Sequence, residues 1–155
     1  SVFNVQYCRI LDTLPPIDLN WKCKGHKSLR HDVFINYRVL SEKDFARTLF
    51  YAISSQKSKV TGANICPYLD QQCLCDGENW EEGFLNGLRN SSLVVLLISE
   101  KAIRNIKFAN ERGDNVLLEY EVALELYRAN QVSILPLLVG EYVNIEGMEL
   151  FKAFN

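Results

Sequence analysis

From Asp32 onward, short apolar runs alternate with segments of helical period. Val33-Phe34-Ile35, followed by Tyr37, predicts a short strand that leads into a helix at Ser41. Ser41 and Asp44 have the spacing of a capping pair, a hydroxyl for the orphan amides and an acid for the dipole. Phe45, Leu49 and Ile53 recur at i, i+4 and i+8, a helical stripe. Thr61-Gly62 interrupts the pattern before a second strand over Ile65 to Leu69. The loop QQCLCDGENW follows, and Trp80, Phe84 and Leu88 mark the next helical face. Leu93 to Ser99, LVVLLIS, is apolar without interruption, as in a parallel strand buried on both faces. A helix opened by Asp114 and a fourth strand from Val132 to Val139 complete the series. Pro136 removes a ladder donor from that last strand and favours its end or an edge position. Such alternation predicts an α/β domain with a central parallel sheet and helices on both faces. After Gly147, MELFKAFN reads as the start of a further helix, and the chain ends before any obvious fifth strand, as if it had been cut short.

The helix DNVLLEYEVALEL contains an anomaly. At roughly 100° per residue, Val116, Leu117, Tyr120, Ala123, Leu124 and Tyr127 form a broad apolar arc, extended by Leu118, Val122 and Leu126. Glu121 and Glu125 fall in the polar gap. Glu119 instead projects between Ala123 and Leu126, inside the apolar face.

Composition narrows what such a carboxylate could serve. The 155 residues suit one domain, and 48% hydrophobic residues suffice for a compact core. Residues 1–31, with Pro15-Pro16 and the basic cluster Lys22, Lys24, Lys27 and Arg30, read as an extension or linker, leaving 32–155 as the domain. Even so, Ile10, Leu11, Leu14, Leu19 and Trp21 are apolar enough to pack onto it. A net charge of −2 and a pI near 5.7 argue against nucleic acid as a partner. No apolar run approaches the ~20 residues of a membrane span, and SVFNVQYCRI lacks the form of a signal peptide. The Asn90-Ser91-Ser92 sequon is therefore read as accidental.

Five cysteines, at 8, 23, 66, 73 and 75, lack the spacing of a disulfide framework. They read as free thiols in a reducing, cytoplasmic compartment, with Cys73 and Cys75 as ordinary loop thiols. Cys23, His26 and His31, with Cys8, could supply four zinc ligands. Their spacing matches no familiar closed site, so no metal is expected.

Parallel sheets bind ligands beyond the carboxyl ends of their strands. Asn36-Tyr37-Arg38 ends the first strand, Asp70 ends the second, and Glu119 opens the helix after the third. Spacing alone thus brings Arg38, Asp70 and Glu119 to one rim. The turn after the first strand has no glycine, which excludes a Rossmann fingerprint or P-loop. The paired acids of a phospho-acceptor receiver are missing, and so are a nucleophile elbow, an HExxH motif and a plausible Ser–His–Asp set. Carboxylate chemistry remains, or no chemistry. Each residue also has a plainer reading. Glu119 could complement a helix N-terminus, Arg38 could pair with a nearby acid, Asp70 could form a turn, and Trp80 could belong to the core.

DVFINYR at 32–38 resembles the first box, usually DVFISYR, of Toll/interleukin-receptor (TIR) domains. Leu69-Asp70, Leu74, Asp76-Gly77 and Trp80 are similar to their second box and BB loop, and Ser91 to Ser99 to their central strand. The resemblance implies a three-layer, flavodoxin-like fold. In members that cleave NAD+, a WxxxE pattern ends in the catalytic glutamate. The matching window, Asn115 to Glu119, keeps the glutamate and has Asn115 in place of tryptophan. Asn36 stands for the common serine, and Val39 for a second arginine seen in some hydrolases. By resemblance, Glu119 is the catalytic residue, Tyr37 and Arg38 shape the cleft floor, and Asn36, Asp70, Trp80 and Asn115 also contact substrate. NAD+ is then a consumed substrate rather than a cofactor. The resemblance further implies self-association through TIR–TIR contacts and a role in immune or cell-death signalling. The other readings left open are a non-enzymatic TIR adaptor and an enzyme acting on another nucleotide.

Overall fold

The computed structural model describes residues 10–106 and 115–152, except the side chains of residues 10, 11, 105, 106, 115 and 116. A short helix, α1 (Ile10–Thr13), precedes β1 (His31–Asn36), α2 (Val39–Ser54), β2 (Pro67–Tyr68), α3 (Asp70–Cys73), α4 (Trp80–Arg89) and β3 (Ser91–Ile98). Then come α5 (Glu100–Ile106), α6 (Asn115–Arg128), β4 (Ser133–Leu138), β5 (Glu141–Ile145) and β6 (Met148–Lys152). Strands β1 to β4 form a parallel sheet in the order β2-β1-β3-β4. Right-handed crossovers then put α2 on one face and α4 and α6 on the other. This is the three-layer, flavodoxin-like α/β arrangement that the alternation predicts.

Burial explains the strand composition. Val33 to Asn36 are all buried in β1, and Val94, Val95 and Leu97 in β3, so neither strand alternates with solvent. Pro136 lies within β4 opposite Leu96, tolerated because β4 is an edge strand of the sheet. Helix α4 approaches the sheet closely at Gly87, where a Cβ would stand 2.6 Å from the Tyr68 ring. Tyr68 is fully buried and stacks on Phe34 at a centroid distance of 4.9 Å.

Three local expectations are corrected. The buried stripe of α2 is Glu42, Ala46 and Phe50, with Leu49 and Ile53 only partly covered and Phe45 exposed. The expected capping pair does not form. Arg38 is the N-cap residue, Ser41 donates to Glu42 Oε2 at 2.5 Å, and Asp44 pairs with Arg47 at 3.2 Å. The helix expected from Met148 is a strand, β6, paired antiparallel with β5 outside the parallel sheet. The two-residue connection Glu146-Gly147 has φ of 53° and 84°, the left-handed pair that closes a hairpin with the natural strand twist.

The segment before β1 folds back onto the domain. Trp21 and Cys23 join the hydrophobic core, while Leu19 is exposed. Trp21 Nε1 donates to Glu78 Oε1, and the Lys24 amide donates to the Cys73 carbonyl at 2.8 Å. Lys22, Lys24, Lys27 and Arg30 point outward between these anchors.

Candidate active site

The chain leaves β1 in one direction to reach β2, and β3 lies on the other side. The carboxyl end of β1 is therefore the switch point at which an open parallel sheet forms a crevice. A cavity of about 320 Å³ opens there. Tyr37, Arg38, Asp70 and Glu119 supply its polar lining, and Phe34, Leu74 and Phe84 an apolar wall. Val39, Leu40 and Trp80 form an exposed apolar lip.

Glu119 reaches the cavity because of its place on α6. Val122, Ala123 and Leu126, at i+3, i+4 and i+7, are its buried neighbours along one stripe. The stripe carries Glu119 inward, where the carboxylate is half-buried and Oε2 accepts a hydrogen bond from Asn36 Nδ2. Leu124 and Tyr127, expected in the apolar arc, lie exposed on the outer side of the helix.

Tyr37 and Asp70 form a second polar unit. The Tyr37 hydroxyl donates to Asp70 Oδ1 at 2.7 Å and accepts from Gln71 Nε2 at 2.7 Å. Burial, reinforced by the neighbouring Asp70 carboxylate, pushes the Tyr37 phenol well above its ordinary value. The ring is thus a neutral donor that fixes the carboxylate. Asp70, at the first position of α3, also accepts from the Gln71 amide through Oδ1 at 2.6 Å.

The structure brings Tyr37, Arg38, Asp70, Trp80 and Glu119 to one cavity. Asn36 lies behind it, 1% exposed, touching the site through Glu119. Asn115 opens α6, and its side chain lies outside the described residues. Trp80 is at the lip rather than in the core, 38% exposed and stacked on Phe84 with 5.3 Å between centroids. Its helix is capped by Asn79, which accepts from the Glu81 amide at 3.1 Å. The cavity's surroundings also include Gln71 and Leu40, which are not among the residues expected there. Gln71 gives no signal in a one-dimensional pattern, whereas an apolar Leu40 just after a strand end is a visible cue.

A family model for the TIR domain matches residues 33–154. The chain belongs to the TIR-domain family. Comparisons with curated proteins and with solved structures give no match. Among the described residues of this TIR domain, no helix is long and apolar enough to cross a membrane. Cys73, expected to be an ordinary loop thiol, is instead fully buried at the end of α3 beside Cys23.

Proposed function

We propose that this TIR domain is an NAD+ nucleosidase with Glu119 as its catalytic residue. The observation that carries the reading is a half-buried carboxylate held by a buried amide at the polar end of the cavity. Nicotinamide leaves as a neutral molecule, so the barrier is the positive charge that develops on the ribose. A fixed carboxylate beside that sugar stabilises the cation, and an apolar wall strengthens the attraction by excluding water. As the glycosidic C–N bond breaks, its electron pair goes to the pyridinium nitrogen. Water adds to the anomeric carbon and releases a proton, leaving ADP-ribose; attack by a nucleophile on the substrate itself gives a cyclic product instead.

A volume of about 320 Å³ is near the lower end for small-molecule sites, typically ~300–1,000 Å³. It suits the nicotinamide riboside end, with the remainder of NAD+ running over the lip or onto a second copy of the domain. Leu40, 90% exposed at that lip, and Val39, 55% exposed, favour such self-association. The same lip also supports the second reading, an adaptor that acts through TIR–TIR contacts without turnover. Concentrated protein incubated with NAD+ and resolved chromatographically distinguishes the two. Nicotinamide release that is lost in Glu119→Ala supports the enzyme; no release even in enforced oligomers overturns it in favour of the adaptor.

A further inference from the structure

Away from the cavity, three chain segments bring together side chains that the proposed reaction does not use. Cys23 comes from the turn before β1, His31 from the first position of β1, and Cys73 from the end of α3. One ligand atom from each lies within 4.8 Å of the other two, and all three residues are buried. We infer that Cys23, His31 and Cys73 bind a zinc ion, with His26 as the fourth donor.

The buried imidazole is the first reason. His31 is 3% exposed, and neither buried ring nitrogen makes a hydrogen bond of normal geometry, its polar neighbour being the Cys23 thiol. Burying unpaired polar atoms is costly, so such an imidazole calls for an explanation. A metal bond to one nitrogen supplies it.

The second reason is the conformation around Cys23. Residues 23–28 form a tight turn closed by Cys23 N–H to Ser28 O at 3.0 Å and Lys27 N–H to Cys23 O at 2.9 Å. Within it the His26 amide donates to Cys23 Sγ at 3.2 Å. That N–H holds the sulfur in place, as outer-shell donors hold the ligands of a metal. His26 lies outside that 4.8 Å group but beside it, its ring 6.0 Å from that of His31, with Nε2 2.9 Å from the Pro67 carbonyl. That contact orients the ring in the way outer-shell carbonyls orient ligating histidines.

The third reason is the way the segments are pressed together. A Cβ at Gly25 would stand 2.7 Å from the Gln72 carbonyl oxygen, so only glycine lets this turn approach α3 so closely. Two thiolates and imidazole select zinc over magnesium or calcium. Tetrahedral bonds of about 2.3 Å put zinc-bound sulfurs ~3.7 Å apart, so the trio closes by about 1 Å at most. A Cys23–Cys73 disulfide would need an external oxidant and would leave the His31 nitrogens unpartnered. The ion would join the segment before β1 to the end of α3.

The test uses the whole chain, reduced and stripped with a chelator, then titrated with cobalt(II) and back-titrated with zinc. The inference expects tetrahedral cobalt bands and a thiolate charge-transfer band saturating at one equivalent, both erased by zinc. Zinc should also raise the Tm of the wild-type chain by several degrees, a readout that does not depend on any variant folding. Cys73→Ser and His31→Gln should lose the cobalt spectrum, His26→Ala should weaken zinc affinity at least tenfold, and Cys75→Ser should retain both. Absence of the one-equivalent bands together with no zinc-dependent rise in Tm overturns the site. So does equal loss in Cys75→Ser, or a Cys23–Cys73 disulfide in protein that takes up no metal when reduced.

Discussion

The side chain of Asn36, the last residue of β1, donates its amide to Glu119, 83 positions further along the chain on α6. Because the acid is acceptor-only when ionised and the amide nitrogen is donor-only, the pair fixes where the carboxylate sits. Hydrogen bonds to charged groups contribute about 1.5–3 kcal/mol. Asn36→Ala should therefore lower the unfolding free energy by about that amount, read from the urea midpoint at unchanged m. In a double-mutant cycle with Glu119→Ala, a coupling energy below about 0.5 kcal/mol would refute the pairing.

Replacing Glu119 by Gln keeps the shape and removes the charge. Nicotinamide release should fall at least about a hundredfold, the scale on which one transition-state-stabilising group acts. The circular dichroism spectrum should be unchanged. Full turnover in Glu119→Gln would move the chemistry to another residue.

Alkaline stability should report on Tyr37. Its phenol is raised in the folded state above the ordinary value of about 10, so above that pH the folded chain holds a proton that the unfolded chain has lost. The resulting stabilisation is fully present below about pH 10 and is lost as pH rises beyond it toward the folded value. Urea midpoints measured from pH 8 to 11 should fall above about pH 10, less steeply in Tyr37→Phe. Equal slopes in the two proteins would contradict the burial and the Asp70 contact.

Gly87→Ala should destabilise the domain by roughly 1–3 kcal/mol, because the new methyl meets the Tyr68 ring at 2.6 Å and that ring is fully buried. Thermal melting reads the loss. Adding Tyr68→Leu, which removes the ring, should recover part of it relative to Tyr68→Leu alone.

Much of the candidate site is legible in the sequence. The Glu119 anomaly needs only the 3.6-residue period, since Val122, Ala123 and Leu126 share its face wherever the helix is docked. The uninterrupted apolar run of β3 likewise announces a central strand. The buried stripe on α2 differs from the expected one because Phe45 and Leu49 lie one position ahead of Ala46 and Phe50. Two adjacent faces were both apolar enough, and contact with β1 and β2 chose between them. The β5–β6 hairpin had a cue in Glu146-Gly147, outweighed by a helical reading of MELFKAFN.

The chain's own order determined the alternation of strands and helices, the parallel sheet, the edge position suited to Pro136 and the inward direction of Glu119. Each follows from spacing along a regular element. Only the folded arrangement decided that Asn36 holds Glu119, that Tyr37 and Gln71 fix Asp70, and that Cys23, His31 and Cys73 converge. Glu119, Asp70 and Cys73 lie far along the chain from Asn36, Tyr37 and Cys23, and their meeting depends on how tightly neighbouring backbones pack, as at Gly25 and Gly87. One-dimensional periodicity carries no record of that distance.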